Sequence, residues 1–176
     1  VLYCITFMST GYFEELLCRG LLFNIINNKY GTSKKGFYFS VIISSFIFGS
    51  GHILWYFIGV SPLTTSLNQC LYALFLGVFL TALYLSCNSI LPPIICHGFI
   101  DICGCTSHLL VTSPEVFNTI LTQAHSPITW IDLLSSSGIC SLLFIAGLIL
   151  LRKVSPDNKA FLRNVWQNDG GRKRCR

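Results

Sequence analysis

The chain has 176 residues, of which 52% are hydrophobic and only 11% are charged. A water-soluble domain usually carries about 25% charged residues, and no Lys or Arg lies between residues 36 and 151. This composition excludes an ordinary soluble domain. The net charge of +5 comes from residues 29–35 and from the tail. Basic segments beside apolar runs favour anionic lipid as the partner over nucleic acid.

Five apolar segments follow one another, each close to the roughly 20 residues that cross a bilayer as a helix. They cover residues 2–28, 37–58, 66–86, 92–111 and 130–151. Pro92 and Pro93 suit the first turn of the fourth segment, because backbone N–H groups have no helical acceptor there. The pattern predicts an all-α fold, a polytopic transmembrane helix bundle of about five spans. The chain begins directly in an apolar segment, so we expect further helices upstream.

Residues 1–151 are predicted to form one membrane-embedded domain, and residues 152–176 a basic, flexible tail. Positively charged loops favour the cytoplasmic side of a membrane. This rule places the loop at residues 29–35 and the tail together in the cytoplasm, four spans apart. The outer segment at residues 112–129 has no Lys or Arg, as the rule requires.

The first helix carries Glu14, Glu15 and Arg19 near its middle. A charged side chain at the centre of a membrane helix costs roughly 2.5 to 3.5 kcal/mol and is by default a functional-site hypothesis. Glu15 and Arg19 are four positions apart, so we expect them to pair. Glu14 points about 100° away from Glu15 and is left as a candidate general base or acid. The alternative is an ion-pair knot that only fixes helix packing.

Two further helices carry histidines at the same four-residue spacing. Phe48 precedes His52 on the second helix, with small residues between them that let a neighbouring helix approach. His97 precedes Asp101 on the fourth helix, and Asp101 is expected to accept a hydrogen bond from one ring nitrogen of His97 and direct the other outward. Counted from the helix ends, the two histidines differ in depth by roughly 10 Å. The alternative is a set of polar contacts that hold helices together.

In chain order these clusters match three motifs: EExxxR from Glu14 to Arg19, FxxxH from Phe48 to His52, and HxxxN/D from His97 to Asp101. The set resembles the CAAX-protease and bacteriocin-processing family, also called the Abi family, which includes the eukaryotic type II CAAX prenyl endopeptidase. The similarity covers residues 11–105. It implies a helical intramembrane endopeptidase, acting on a peptide or a membrane-associated protein, in the plasma membrane of a bacterium.

The resemblance also implies roles for the polar residues. Glu14 and His52 would activate a water for attack on the scissile carbonyl, and His97 and Asp101 would hold the developing oxyanion. Supporting positions would be taken by Glu15, Arg19 and Phe48. This chain departs from the family where Asp101 replaces the more usual Asn. A charged carboxylate there would repel an oxyanion unless it is protonated or bonded to His97.

Two alternatives accompany this interpretation. The family has often been described as metalloproteases, and Glu14, His52 and His97 are ligand types that bind zinc with one position open for water. We favour the metal-free mechanism and expect no cofactor, with zinc as the alternative. The rival to an enzyme is a non-catalytic membrane partner that gives bacteriocin immunity or regulates a membrane sensor.

Overall fold

The computed structural model describes residues 2–104, 115 and 128–154. Within these ranges every regular element is a helix. The first stretch consists of α1 (Leu2–Glu15), a π-helical segment (Leu16–Phe23) and α2 (Asn24–Tyr30). The second consists of α3 (Lys34–Ser50), a 3₁₀ turn (Gly51–Ile53) and α4 (Leu54–Phe57). Three more helices follow, namely α5 (Leu63–Cys87), α6 (Leu91–Gly104) and α7 (Trp130–Lys153).

The predicted all-α bundle is confirmed, with corrections at the helix ends. The loop expected at residues 29–35 is only a short turn, because α2 runs to Tyr30 and α3 already begins at Lys34. The side chain of Ser33 accepts a hydrogen bond from the N–H of Gly36 at 3.0 Å and so caps α3. α6 begins at Leu91, which puts both prolines in its first turn as expected.

Several predictions fall outside the described residues. The continuation of the fourth helix to residue 111, most of the outer segment at residues 112–129 and the tail from residue 155 onward lie there. These predictions, and the division into a membrane domain and a tail, stay predictions.

The surface of the bundle is apolar and its interior holds polar groups. Large side chains such as Phe57 and Leu142 are 72% and 69% exposed, whereas Glu15 and Arg19 are 0% and 1% exposed. Water disfavours extended apolar surface, but lipid solvates it. In the described part of the chain, two helices, Lys34–Phe57 and Leu63–Cys87, are long and apolar enough to cross a membrane by length and composition. The chain is therefore an integral membrane protein built as a helical bundle.

α5 lies at the centre of the described bundle and contacts α3, α6 and α7. The main apolar core forms where α5 meets α3, α7 and the end of the π-helical segment; it comprises Phe23, Phe37, Val41, Val78, Ala82, Tyr84, Leu85, Leu151 and Val154. A smaller buried cluster of Cys18, Phe48 and Ala73 lies beside the polar residues. α5 therefore connects the polar site to the main apolar core.

α1 and α6 cross at two glycines, and their backbones touch there. A Cβ added to Gly11 would lie 2.9 Å from the backbone nitrogen of Gly98, and one added to Gly98 would lie 3.1 Å from the Cα of Met8. Glu15 is one turn beyond Gly11, and His97 is the residue before Gly98. The crossing therefore brings the carboxylates of the first helix within reach of His97.

We expect Gly11→Ala to lower the free energy of unfolding by about 1–3 kcal/mol, because its methyl group meets backbone atoms that cannot move aside. Thermal unfolding in detergent measures the effect. Gly138→Ala in α7 is the control, since a Cβ there meets nothing within 4 Å, and it should unfold at or slightly above the wild-type temperature. Equal unfolding temperatures for Gly11→Ala and wild type would contradict the close crossing.

Candidate active site

His97 on α6 is the residue at which the three predicted clusters meet. It is only 4% exposed. Its Nδ1 lies 2.8 Å from Oε1 of Glu15, a hydrogen-bond distance. Its Nε2 lies 3.6 Å from Oε2 of Glu14 and 3.7 Å from Oδ2 of Asp101. One ring nitrogen is thus bonded, and the other faces two carboxyl groups across gaps that are too long for direct hydrogen bonds.

The predicted pairing of Glu15 with Arg19 is confirmed. Nη1 of Arg19 lies 2.6 Å from Oε1 of Glu15, and both side chains are buried. Nη2 of Arg19 donates to the carbonyl oxygen of Gly77 on α5 at 3.1 Å. Burying an ion pair in an apolar medium is favourable only when further hydrogen bonds satisfy its remaining groups. Arg19 gains such a bond from α5, and Oε1 of Glu15 gains one from His97, whereas Oε2 of Glu15 is buried without a partner among the described residues.

The expectation that Asp101 orients His97 is wrong, and Glu15 has that position. Oε1 of Glu15, which accepts a hydrogen bond from Arg19, lies at hydrogen-bond distance from Nδ1 of His97 and so orients the ring. Asp101, four residues along the same helix, lies beside Nε2 instead, with its side chain 25% exposed. The spacing within α6 predicted the proximity of Asp101 to the ring, but the contact from α1 decides which nitrogen is bonded.

Phe48 lies between the two histidines and under the guanidinium group. Its ring makes edge contacts with His52 and His97, both at 5.8 Å between centroids. The guanidinium carbon of Arg19 lies 4.8 Å from its centroid, a cation–π distance. Contact with one common ring brings the two imidazoles into one neighbourhood. The depth difference of roughly 10 Å expected from helix counting stays a prediction.

Glu14 and His52 line one cavity of about 310 Å³ between the first helical stretch and α3. Its walls are otherwise mostly apolar and include Leu17, Cys18, Leu22, Ile47 and Phe48. The Glu14 side chain is 30% exposed, so it is accessible from this cavity while also bordering His97. Phe13 and Trp55 also line the cavity and are largely exposed at the bundle surface. The cavity therefore opens at the surface of the described bundle.

The structure thus brings Glu14, Glu15, Arg19, Phe48, His52, His97 and Asp101 into one neighbourhood. Sequence reasoning missed Gly77, whose contribution is a backbone carbonyl group and leaves no mark in a motif. It also missed Asn24, whose side-chain amide lies 2.8 Å from the carbonyl oxygen of Arg19. The signal available in the sequence was an amide side chain, Asn24, five positions after Arg19 within an apolar segment.

In the described ranges, no three side chains of His, Cys, Asp or Glu are grouped so that they could hold a metal ion. Glu14, His52 and His97, the candidate zinc ligands, are neighbours but do not form such a group. No step of the reaction proposed below is assigned to a metal.

The fold and the site define a class: a helical membrane protein in which carboxyl and imidazole groups meet beside a cavity that opens at the bundle surface. A family model described as "Type II CAAX prenyl endopeptidase Rce1-like" matches residues 1–103, more than half of the chain and all of the site. The chain belongs to this Rce1-like family, which confirms the resemblance, and in general terms it is a CAAX-type intramembrane protease. No curated protein and no solved structure matches the chain.

Removing the guanidinium group should leave the buried Glu15 carboxylate without its cation. We expect Arg19→Met to lower the free energy of unfolding by about 3–5 kcal/mol, the usual effect of breaking a buried pair. The double variant Glu15→Gln with Arg19→Met should recover part of that loss, because no buried charge is left unpaired. Chemical unfolding in detergent measures both. Lys29→Met, at an exposed cation over Tyr30, is the control. Equal losses in the single and double variants would contradict the pairing.

Proposed function

We propose that this chain is an intramembrane endopeptidase in which Glu14 and His52 activate a water molecule for attack on a peptide carbonyl. The observation that supports it is the position of Glu14, which lines a cavity with His52 and lies 3.6 Å from Nε2 of His97. A general base needs access to water and to the reacting carbonyl group at the same point. The substrate would be a peptide or a membrane-associated protein.

In the proposed reaction, the carboxylate of Glu14 takes a proton from water while the water oxygen bonds to the scissile carbonyl carbon. His52, which lines the same cavity from the second helical stretch, holds the water by a hydrogen bond. The proton then passes from Glu14 to the leaving nitrogen as the C–N bond breaks. General acid–base transfer of this kind contributes about 10²- to 10⁴-fold to the rate.

The developing oxyanion would lie on the His97 side of the cavity. With the Nδ1 hydrogen of His97 directed at Glu15, Nε2 can donate to an oxyanion only when the ring is an imidazolium. The buried Glu15 carboxylate would stabilise that positive ring, just as a carboxylate bonded to one ring nitrogen orients a catalytic histidine. A protonated Asp101, beside Nε2, would donate a second hydrogen bond to the oxyanion. Preorganised donors of this type are a large catalytic term in a site that excludes water.

The shape of the cavity suggests how a substrate enters. Phe13 is 66% and Trp55 47% exposed, and both lie at the surface that the bundle presents to lipid. A substrate held in the bilayer can therefore reach Glu14 sideways, with an apolar side chain against Leu17 and Leu22. We further propose the plasma membrane of a bacterium as the location, with the turn after α2 and the tail facing the cytoplasm.

We expect Glu14→Gln and His52→Ala each to lower kcat by about 10²-fold or more. The measurement is cleavage of a fluorogenic peptide by the full-length protein in proteoliposomes. Thr10→Val on the same helix is the control, because Thr10 is exposed and its hydroxyl donates to the carbonyl oxygen of Thr6. Added chelator should leave the activity unchanged.

Three outcomes would contradict this mechanism. Cleavage that survives Glu14→Ala combined with His52→Ala would end the proposed roles of these two residues. A wild-type protein that cleaves no peptide would leave the rival, a non-catalytic membrane partner for immunity or sensor regulation. Activity that chelator abolishes and zinc restores would replace the metal-free mechanism with zinc chemistry.

The third motif gives a separate test of the oxyanion side. Asp101→Asn should retain activity within about tenfold of wild type, because a neutral amide can donate a hydrogen bond without repelling an oxyanion. Asp101→Ala has no donor and should lower kcat by about 10²-fold. The ratio of the kcat values of these two variants, measured with one peptide, shows whether the oxyanion needs a donor at position 101. An inactive Asn variant beside an active Ala variant would exclude Asp101 from this role.

A further inference from the structure

The first helical stretch changes its winding beside the site. α1 ends at Glu15, and the next eight residues, Leu16–Phe23, form a π-helix before α2 begins. π-helices are rare and appear mostly as single-turn bulges, frequently at functional sites. This one is longer than a single turn and contains Arg19, the partner of Glu15.

The π-helical winding places two buried polar residues on the same face. Arg19 and Asn24 are five positions apart. In an α-helix that spacing turns two side chains about 140° away from each other. In a π-helix, where bonds run from i to i+5, it places them one above the other. Both residues do contact α5: Arg19 donates to the carbonyl oxygen of Gly77 at 3.1 Å, and Nδ2 of Asn24 lies 3.2 Å from the hydroxyl oxygen of Tyr84.

The side chain of Asn24 also bonds to carbonyl groups of the π-helical segment. Its Nδ2 donates to the carbonyl oxygen of Arg19 at 2.8 Å and to that of Gly20 at 2.9 Å. The backbone N–H of Asn24 bonds elsewhere, to the carbonyl oxygen of Leu21. Asn24 is only 6% exposed. In a membrane interior a carbonyl group without a donor is costly. Because the Asn24 amide donates to these two carbonyl groups, it favours the π-helical form.

We propose that Asn24 is a positioning residue for the peptidase reaction. It holds the π-helical winding that directs Arg19 to Gly77 and Phe48. Arg19 in turn fixes the Glu15 carboxylate against Nδ1 of His97. Asn24 itself does not line the cavity that holds Glu14 and His52, so it acts through Arg19. This inference rests on the proposed function.

The test is a kinetic comparison of Asn24 variants in the full-length protein in proteoliposomes, with one fluorogenic peptide. We expect Asn24→Leu and Asn24→Asp, which have no side-chain donor, to lower kcat about tenfold or more while KM stays within about twofold. Asn24→Gln keeps the amide and should restore most of the activity. Tyr84→Phe is the matched control, because both carbonyl bonds of Asn24 remain, and it should stay close to wild type.

A double-mutant cycle separates positioning from general stability. Arg19→Lys keeps the positive charge but not the forked geometry that bonds Glu15 and Gly77 together. If Asn24 acts through Arg19, adding Asn24→Leu to Arg19→Lys should lower kcat much less than it does in wild type. Additive losses in kcat, or kcat per folded enzyme equal to wild type in Asn24→Leu, would overturn the inference.

The same assay distinguishes this failure from failure of the proposed function. If Glu14→Gln is inactive while both Asn24→Leu and Asn24→Asp are as active as wild type, only the role of Asn24 is wrong. If Glu14→Gln is fully active, the proposed reaction is wrong, whatever the Asn24 variants show.

Discussion

One buried carboxylate oxygen, Oε1 of Glu15, holds the polar interior together. It accepts hydrogen bonds from Arg19 within the first helical stretch and from His97 on α6. Arg19 continues the connection to Gly77 on α5 and to the ring of Phe48 on α3. A charge in lipid is tolerated only with a well-placed partner. The helices that carry these partners must therefore meet at Glu15, and this requirement fixes the geometry of the site.

The positions that we propose to react are more exposed than this buried centre. Glu15, Arg19 and His97 are almost fully buried, whereas Glu14 and Asp101 keep 30% and 25% of their side chains exposed. The adjacent residues Glu15 and Glu14 thus have different surroundings: Glu15 contacts Arg19 and His97, and Glu14 faces the cavity. Close packing of α1 on α6 at Gly11 and Gly98 lets Glu15 reach His97 while Glu14 still faces the cavity. A rigid support beside an accessible carboxylate is what a preorganised catalytic site requires.

Patterns within a helix predicted much of this arrangement. The four-residue spacing of Glu15 and Arg19 gave their ion pair, and the spacing of His97 and Asp101 gave their proximity. Contacts between helices were not predictable in the same way. The spacing within α6 predicts Asp101 as the partner of one ring nitrogen of His97, yet the carboxylate at hydrogen-bond distance is that of Glu15, 82 positions away in the chain. A π-helix over Leu16–Phe23 also has no signature in the residue pattern.

The amino-acid sequence is enough to predict the solvent of this protein, its helical class and the residue types that meet in its interior. Long apolar runs without cations require a bilayer, and ionisable groups inside them require one another. The fold was needed to show that one ring, Phe48, contacts both imidazoles, that Glu15 rather than Asp101 bonds to His97, and how the first helix is wound there. These features depend on crossing points and backbone carbonyl groups of neighbouring helices, which no single segment encodes.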